Sequence, residues 1–153
     1  MAVVLIDDHV LGAVLRGAPP PVVRRRELYT TGWWYTRLRQ AVLASSFQGR
    51  LSAPFASLSA PFASLPATHR RRAIERLLAL PDEIGIVALR TLGPVIGRQS
   101  AAHPRLNVLN REVLAAAVTL EADVVVGVGN EGEVLVPPST AESRLMTAVA
   151  LAP

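Results

Sequence analysis

Residues Ala2 to Ile6 form a wholly apolar, β-branched run that stops abruptly on Asp7, Asp8 and His9. A run of this kind, with no alternation of polar and apolar positions, reads as a strand buried on both faces, as in a parallel sheet. Val124 to Val128 is a second such run. Parallel neighbours cannot be joined by a hairpin and need crossover connections, usually helices. The two runs therefore predict a three-layer α/β/α arrangement around a central, mainly parallel sheet of four or five strands. The 153 residues suit one domain spanning 1–153, long enough to bury a core without disulfides.

Between these runs the pattern alternates. Val10, Leu11, Val14 and Leu15 recur at helical spacing, and Gly17 with Pro19, Pro20 and Pro21 ends that helix. Leu28 to Thr30 reads as a brief strand. Thr31 is a candidate N-cap for a helix from Gly32 to about Ser45, with Trp34, Leu38, Ala41 and Val42 on its apolar face. Arg70 to Leu80 is amphipathic and halted by Pro81, and Ile84 to Ala88 reads as a strand. Arg90 to about Ala102 reads as a helix despite Gly93 and Pro94. Asn107 or Asn110 caps a helix through Leu120, and Ser139 with Glu142 makes a capping box for a final helix to Leu151.

One segment departs from this rhythm. LSAPFAS occurs twice in tandem, at 51–57 and 58–64, followed by Leu65 and Pro66. A proline in each copy argues against a regular helix. The expectation is a Pro/Ser/Ala-rich inserted surface loop at about 49–68, or a partner-binding loop that exposes Phe55 and Phe62.

The chain has no cysteine, which excludes disulfides, thiolate metal sites and cysteine nucleophiles. Net charge is +4, carried by arginine, since lysine is absent. That charge is either plain solvation or a footprint for a polyanion, because arginine forks match phosphate geometry. The opening MAVVLIDD lacks the basic and apolar regions of a secretory signal. The longest uncharged stretch, Leu51 to Thr68, is broken by prolines, whereas a membrane span needs roughly 20 apolar residues. The expectation is a soluble cytoplasmic protein with no membrane partner.

In open α/β sheets, ligands bind beyond the carboxyl ends of the strands, near a switch in strand order. Asp7 stands at such an end. Carboxylates converging there invite a divalent cation, which could activate water and clamp a phosphodiester. Asp8 either supports that site or caps the first helix. Glu112 lies in the first turns of the helix after Asn110, where the alternative is a surface acid favoured by the helix dipole. Asp123 opens its strand and so belongs to the opposite edge of the sheet.

The segments VVLIDDHVLGAVL and LNVLNREVLAAAVTLEADVVV resemble PIN-like domains, the ribonuclease family that includes toxins of toxin–antitoxin pairs. The first is similar to the family's opening strand with its terminal metal-binding acid. The second is similar to its acid-opened helix of small residues before the fourth strand. The resemblance implies Mg²⁺ (or Mn²⁺) held by Asp7, Asp8 and Glu112, with Asp7 and Glu112 as the catalytic acids. RNA as substrate, a cognate antitoxin and a homodimer are further implications. Two of the family's four acidic positions are not kept. Near Tyr35 and Thr36 the chain reads WWYTRL, and after the fourth strand it reads GVGNEGE, offering only Asn130 or Glu131. Arg37 stands near Tyr35 and Thr36, where the family's second acid is absent, and either contacts phosphate or pairs with Asp7. Arg37, Asn130 and Glu131 are therefore candidate substrate-binding residues.

Other signals are weaker. His9, His69 and His103 share no metal-ligand spacing, and His9 is either a proton relay beside Asp7 or a polar residue at a helix start. The clusters Arg24–Arg26 and Arg70–Arg72 either follow an RNA backbone or lie on solvated helix ends. Trp33, Trp34 and Tyr35 are packing residues or, in the alternative, a base-stacking platform. Three functions remain in view: a metal-dependent ribonuclease of the toxin type, a catalytically degenerate PIN-like module that binds RNA or protein, and an unrelated nucleotide-binding or regulatory α/β domain.

Overall fold

The computed structural model describes residues 2–44, 53–102, 104–127 and 146–149. In chain order the elements are β1 (Val3–Ile6), α1 (Asp8–Leu15), β2 (Glu27–Thr30), α2 (Gly32–Ala44), α3 (Ala53–Ala63), α4 (Ala67–Leu78), β3 (Ile84–Ile86), α5 (Leu89–Ala102), α6 (Val108–Leu120), β4 (Asp123–Gly127) and β5 (Met146–Val149). Among the described residues the strands form one five-stranded sheet in the order β3-β2-β1-β4-β5, with every pairing parallel. The expected three-layer α/β/α architecture is therefore present. Register places Val4 opposite Leu28 and Leu5 opposite Val124. Asp123 faces Val4 at the amino-terminal edge, as its position before the apolar run implied.

Strand side chains alternate between faces, and the two halves of the core follow that alternation. Val4, Ile6 and Val125 join Leu11, Leu15, Leu38, Phe62 and Leu77 in a cluster that packs α1 to α4 on one face. Leu5, Val124 and Val126 join Trp34, Leu92, Val113 and Ala116 beneath α5 and α6 on the other. α2 serves both: Leu38, Ala41 and Val42 pack on the first face while Trp34 reaches the second. At the sheet's edge the Tyr29 ring of β2 lies across Gly85 of β3, where a Cβ would stand 2.3 Å from it, so any larger residue would displace the ring.

Two expectations are corrected. The first concerns the duplicated segment, which from Ala53 is the helix α3 rather than a loop. Pro54 falls in the first turn, where no N–H partner is required. Pro61 lies inside the helix and costs about 3 kcal/mol. Burial offsets that cost, because Leu58 and Phe62 are both embedded in the core. A seven-residue repeat spans two helical turns, so Phe55 and Phe62 return to one face, with Leu58 between them. Residues 49–52 lie outside the described part.

The second correction is at the C-terminal end. Met146–Val149 is a strand on the flank of β4, with Val124 opposite Met146 and Gly127 opposite Val149. Pairing with an otherwise open strand edge overrides the helical preference of an Ala- and Leu-containing segment. Ser139 and Glu142, the expected capping box, lie outside the described residues. Among the described residues no helix is long and apolar enough to cross a membrane.

Candidate functional site

Strand order runs outward from β1 in both directions, to β2 and β3 on one side and to β4 and β5 on the other. The switch point therefore lies between β1 and β4, with Asp7 directly beyond it. Asp7 is fully buried. Its Oδ1 accepts from Val10 N–H at 2.8 Å, which makes it the N-cap of α1. Its Oδ2 accepts from Gly127 N–H at 2.9 Å, at the end of β4. The crevice at the switch point is thus stitched across by the very carboxylate expected to open it to a ligand.

Asp8 does not cap α1; that role belongs to Asp7. Asp8 opens the helix, fully buried, and receives Arg37 Nε on its Oδ2. Arg37 pairs with Asp8, where the sequence suggested phosphate or Asp7. Taking two charges from water is costly unless they are matched, and this contact supplies the match.

Glu112, on α6, is almost completely buried at the start of α2. Its Oε1 accepts from Gly32 N–H at 3.2 Å and its Oε2 from Trp33 N–H at 3.3 Å. Thr31 completes the cap, as expected: its hydroxyl accepts from Trp34 N–H at 3.2 Å and donates to Glu112. Three amides that a helix start leaves without internal partners are therefore satisfied by two side chains. The negative charge also meets the positive end of the α2 dipole.

Burial pushes the Glu112 carboxyl above the usual glutamate range, partly countered by the hydrogen bonds from Trp33, Gly32 and Thr31. An acid whose folded value is raised binds its proton more readily in the native state. Its contribution is most favourable when protonated and declines as pH climbs from the ordinary glutamate range through the raised value. Between those limits, thermal melts of the wild type should lose stability with rising pH relative to Glu112→Gln, whose amide does not titrate. Parallel stability curves for the two proteins across that window would refute the assignment.

Beside this cap lies a cleft of about 480 Å³ among α2, α5 and α6. Gly32, Trp33 and Thr36 form one wall, Leu89 and Ile96 another, and Val108, Arg111 and Glu112 the third. Of the aromatic trio, Trp34 is buried, and Tyr35 packs against the core with its hydroxyl donating to Leu77 O at 2.8 Å. Trp33 alone turns outward, 48% exposed. The cleft contains Glu112 among the expected site residues; Asp7 and Asp8 do not line it. Leu89, Val108 and Arg111 were not singled out from the sequence. The signal available was apolar residues in the first turns of α5 and α6 that the core does not use, Leu89 at 62% and Val108 at 67% exposure.

The donor set does not suit the divalent cation that the resemblance implies. Both oxygens of Asp7 and both of Glu112 hold backbone amides, and Asp8 is matched by Arg37. Among the described residues no group of three or more His, Asp or Glu side chains is placed to hold a metal ion. Asn130 and Glu131 lie outside the described residues. Arg70 and Arg76 of the basic segment serve as caps: Arg70 donates to Ala63 O and Leu65 O, and Arg76 to Val14 O and Leu15 O at the end of α1. No family model matches the chain, and neither does any curated protein.

Proposed function

We propose that this chain is a PIN-like domain that binds single-stranded RNA in the cytoplasm without cutting it, a degenerate relative of the toxin-type ribonucleases. One observation carries the reading. The carboxylates at Asp7, Asp8 and Glu112 are engaged with backbone amides or a guanidinium, while the adjoining cleft is largely apolar and is lined by the exposed Trp33 and by Arg111. Such a combination suits stacking and phosphate attraction better than phosphodiester hydrolysis.

A second reading, a Mg²⁺- or Mn²⁺-dependent ribonuclease with an antitoxin partner and a homodimeric state, draws support from the placement of Asp7 at the strand-order switch. A labelled RNA oligonucleotide distinguishes the two. Anisotropy should rise on adding the protein with or without EDTA, fall steeply with added salt, and leave the oligonucleotide intact on a gel at millimolar Mg²⁺ or Mn²⁺. Metal-dependent cleavage would establish the enzyme instead. Absence of RNA binding, with a protein partner recovered in its place, would establish a protein-interaction module.

A further inference from the structure

The cleft among α2, α5 and α6 has more structure than a generic RNA-binding surface needs. We infer that it is a nucleobase pocket, in which one unstacked base of a single RNA strand lies against the Trp33 indole. The inference rests on the RNA-binding reading and specifies how that binding is achieved.

Its size falls within the ~300–1,000 Å³ typical of small-ligand sites, so it takes a compact group rather than a whole helix. Its walls are apolar, from Leu89, Ile96 and Val108, and one side is an exposed aromatic ring. Every base offers a π-face to such a ring, which makes stacking tolerant of sequence. At the buried end stands Glu112, whose oxygens are held by the Gly32 and Trp33 amides and so fix the backbone that carries the Trp33 ring. Arg111 lines the same cleft; among the described residues its Nη2 donates to Pro104 O at 3.0 Å and its buried Nε has no partner, so donors of its fork remain for a phosphate or base oxygen.

Charge selects the occupant. The three helices that build the cleft, with the turn at Pro104 to Asn107, carry Arg37, Arg39, Arg90, Arg98, Arg105 and Arg111, against Glu112 as their one acid. The rest of the chain has ten arginines and eleven acids, so it is close to neutral. Asp8 matches Arg37, but these elements still carry a positive excess, and Arg111 brings part of it to the cleft wall. An apolar partner helix would gain nothing from that charge, whereas a base joined to a phosphate backbone is attracted by both parts.

The test compares a short labelled RNA with the same strand bearing abasic sites, each titrated with wild type, Trp33→Ala and Trp33→Phe. Since stacking contributes roughly 1–3 kcal/mol per base, removing the bases or the indole should each weaken binding by about 5- to 150-fold, while phenylalanine retains most of it. Trp33 is exposed and Trp34 buried, so guanosine or adenosine alone should quench the outer indole, and Trp33→Ala should lose that quenching. Equal affinity for intact and abasic strands, unaffected by Trp33→Ala, would overturn the pocket and leave the RNA reading standing on phosphates. Nucleoside quenching without RNA binding would retain the pocket and overturn the RNA reading. Neither quenching nor RNA binding, with Trp33 covered by a protein partner, would overturn both.

Discussion

Asp7→Ala should destabilise the fold by about 3–5 kcal/mol, because it strips buried acceptors from two backbone amides at once. Val10 N–H loses its cap, and Gly127 N–H loses the bridge between β1 and β4. Each orphaned donor costs roughly 1–3 kcal/mol, against a total stability of about 5–15 kcal/mol for a typical domain. Asp7→Asn is the sharper variant. An amide oxygen replaces one acceptor, but its NH₂ must then face a second N–H, so about 2–3 kcal/mol should still be lost. Urea denaturation followed by circular dichroism measures both. The sign of the effect separates the two accounts of this residue. A carboxylate buried chiefly to hold a metal is a liability to the metal-free fold, and its replacement by asparagine is neutral or stabilising without the ion. A metal site would also show stability rising with added Mg²⁺ or Mn²⁺, and that increment would vanish in Asp7→Asn. A midpoint for Asp7→Asn at or above the wild-type value would therefore restore Asp7 as a ligand and sink the structural role.

Much of the architecture is legible in the sequence for local reasons. β1 and β4 announce themselves as β-branched runs without polar interruption, and Thr31 and Asn107 sit where a helix start needs a short polar side chain; both act as caps. The positions of Asp7 and Glu112 are legible too, since an acid after a buried strand and an acid early in a helix are both local patterns. What those carboxylates do is not. Their partners are remote along the chain, Gly127 being 120 residues from Asp7 and Gly32 80 residues from Glu112. A lone acid in a sequence looks identical whether its oxygens face a metal, a solvent cleft or a distant amide. β5 escapes a sequence reading for the same reason: Met146–Val149 becomes a strand through the neighbour it finds, not through its own composition.

The duplicated segment reads as a loop only while proline is weighed residue by residue and the period of the repeat is not, and this leads to the second large effect. Phe62→Ala should cost about 3–5 kcal/mol. The ring is buried in the α1–α4 side of the core and closes on Gly12, where an added Cβ would already stand 3.4 Å from its edge. The Arg16 guanidinium lies over the same ring, 5.9 Å from its centre, and loses its aromatic partner with the truncation. Phe55, its counterpart in the first copy, packs only partly against the core, so Phe55→Ala should cost about 1 kcal/mol. Two copies of one heptapeptide thus give unequal losses, which exposed aromatics on a loop would not. Pro61→Ala adds a test by sign. Within a helix, alanine restores a backbone donor and removes a ring that clashes with the preceding turn, so the variant should be more stable than wild type, by up to about 3 kcal/mol. In a loop, losing proline frees the unfolded chain and lowers stability by about 0.4–1 kcal/mol. Chemical denaturation of the three variants reads all of these outcomes, and a destabilised Pro61→Ala beside an indifferent Phe62→Ala would return this segment to a surface loop.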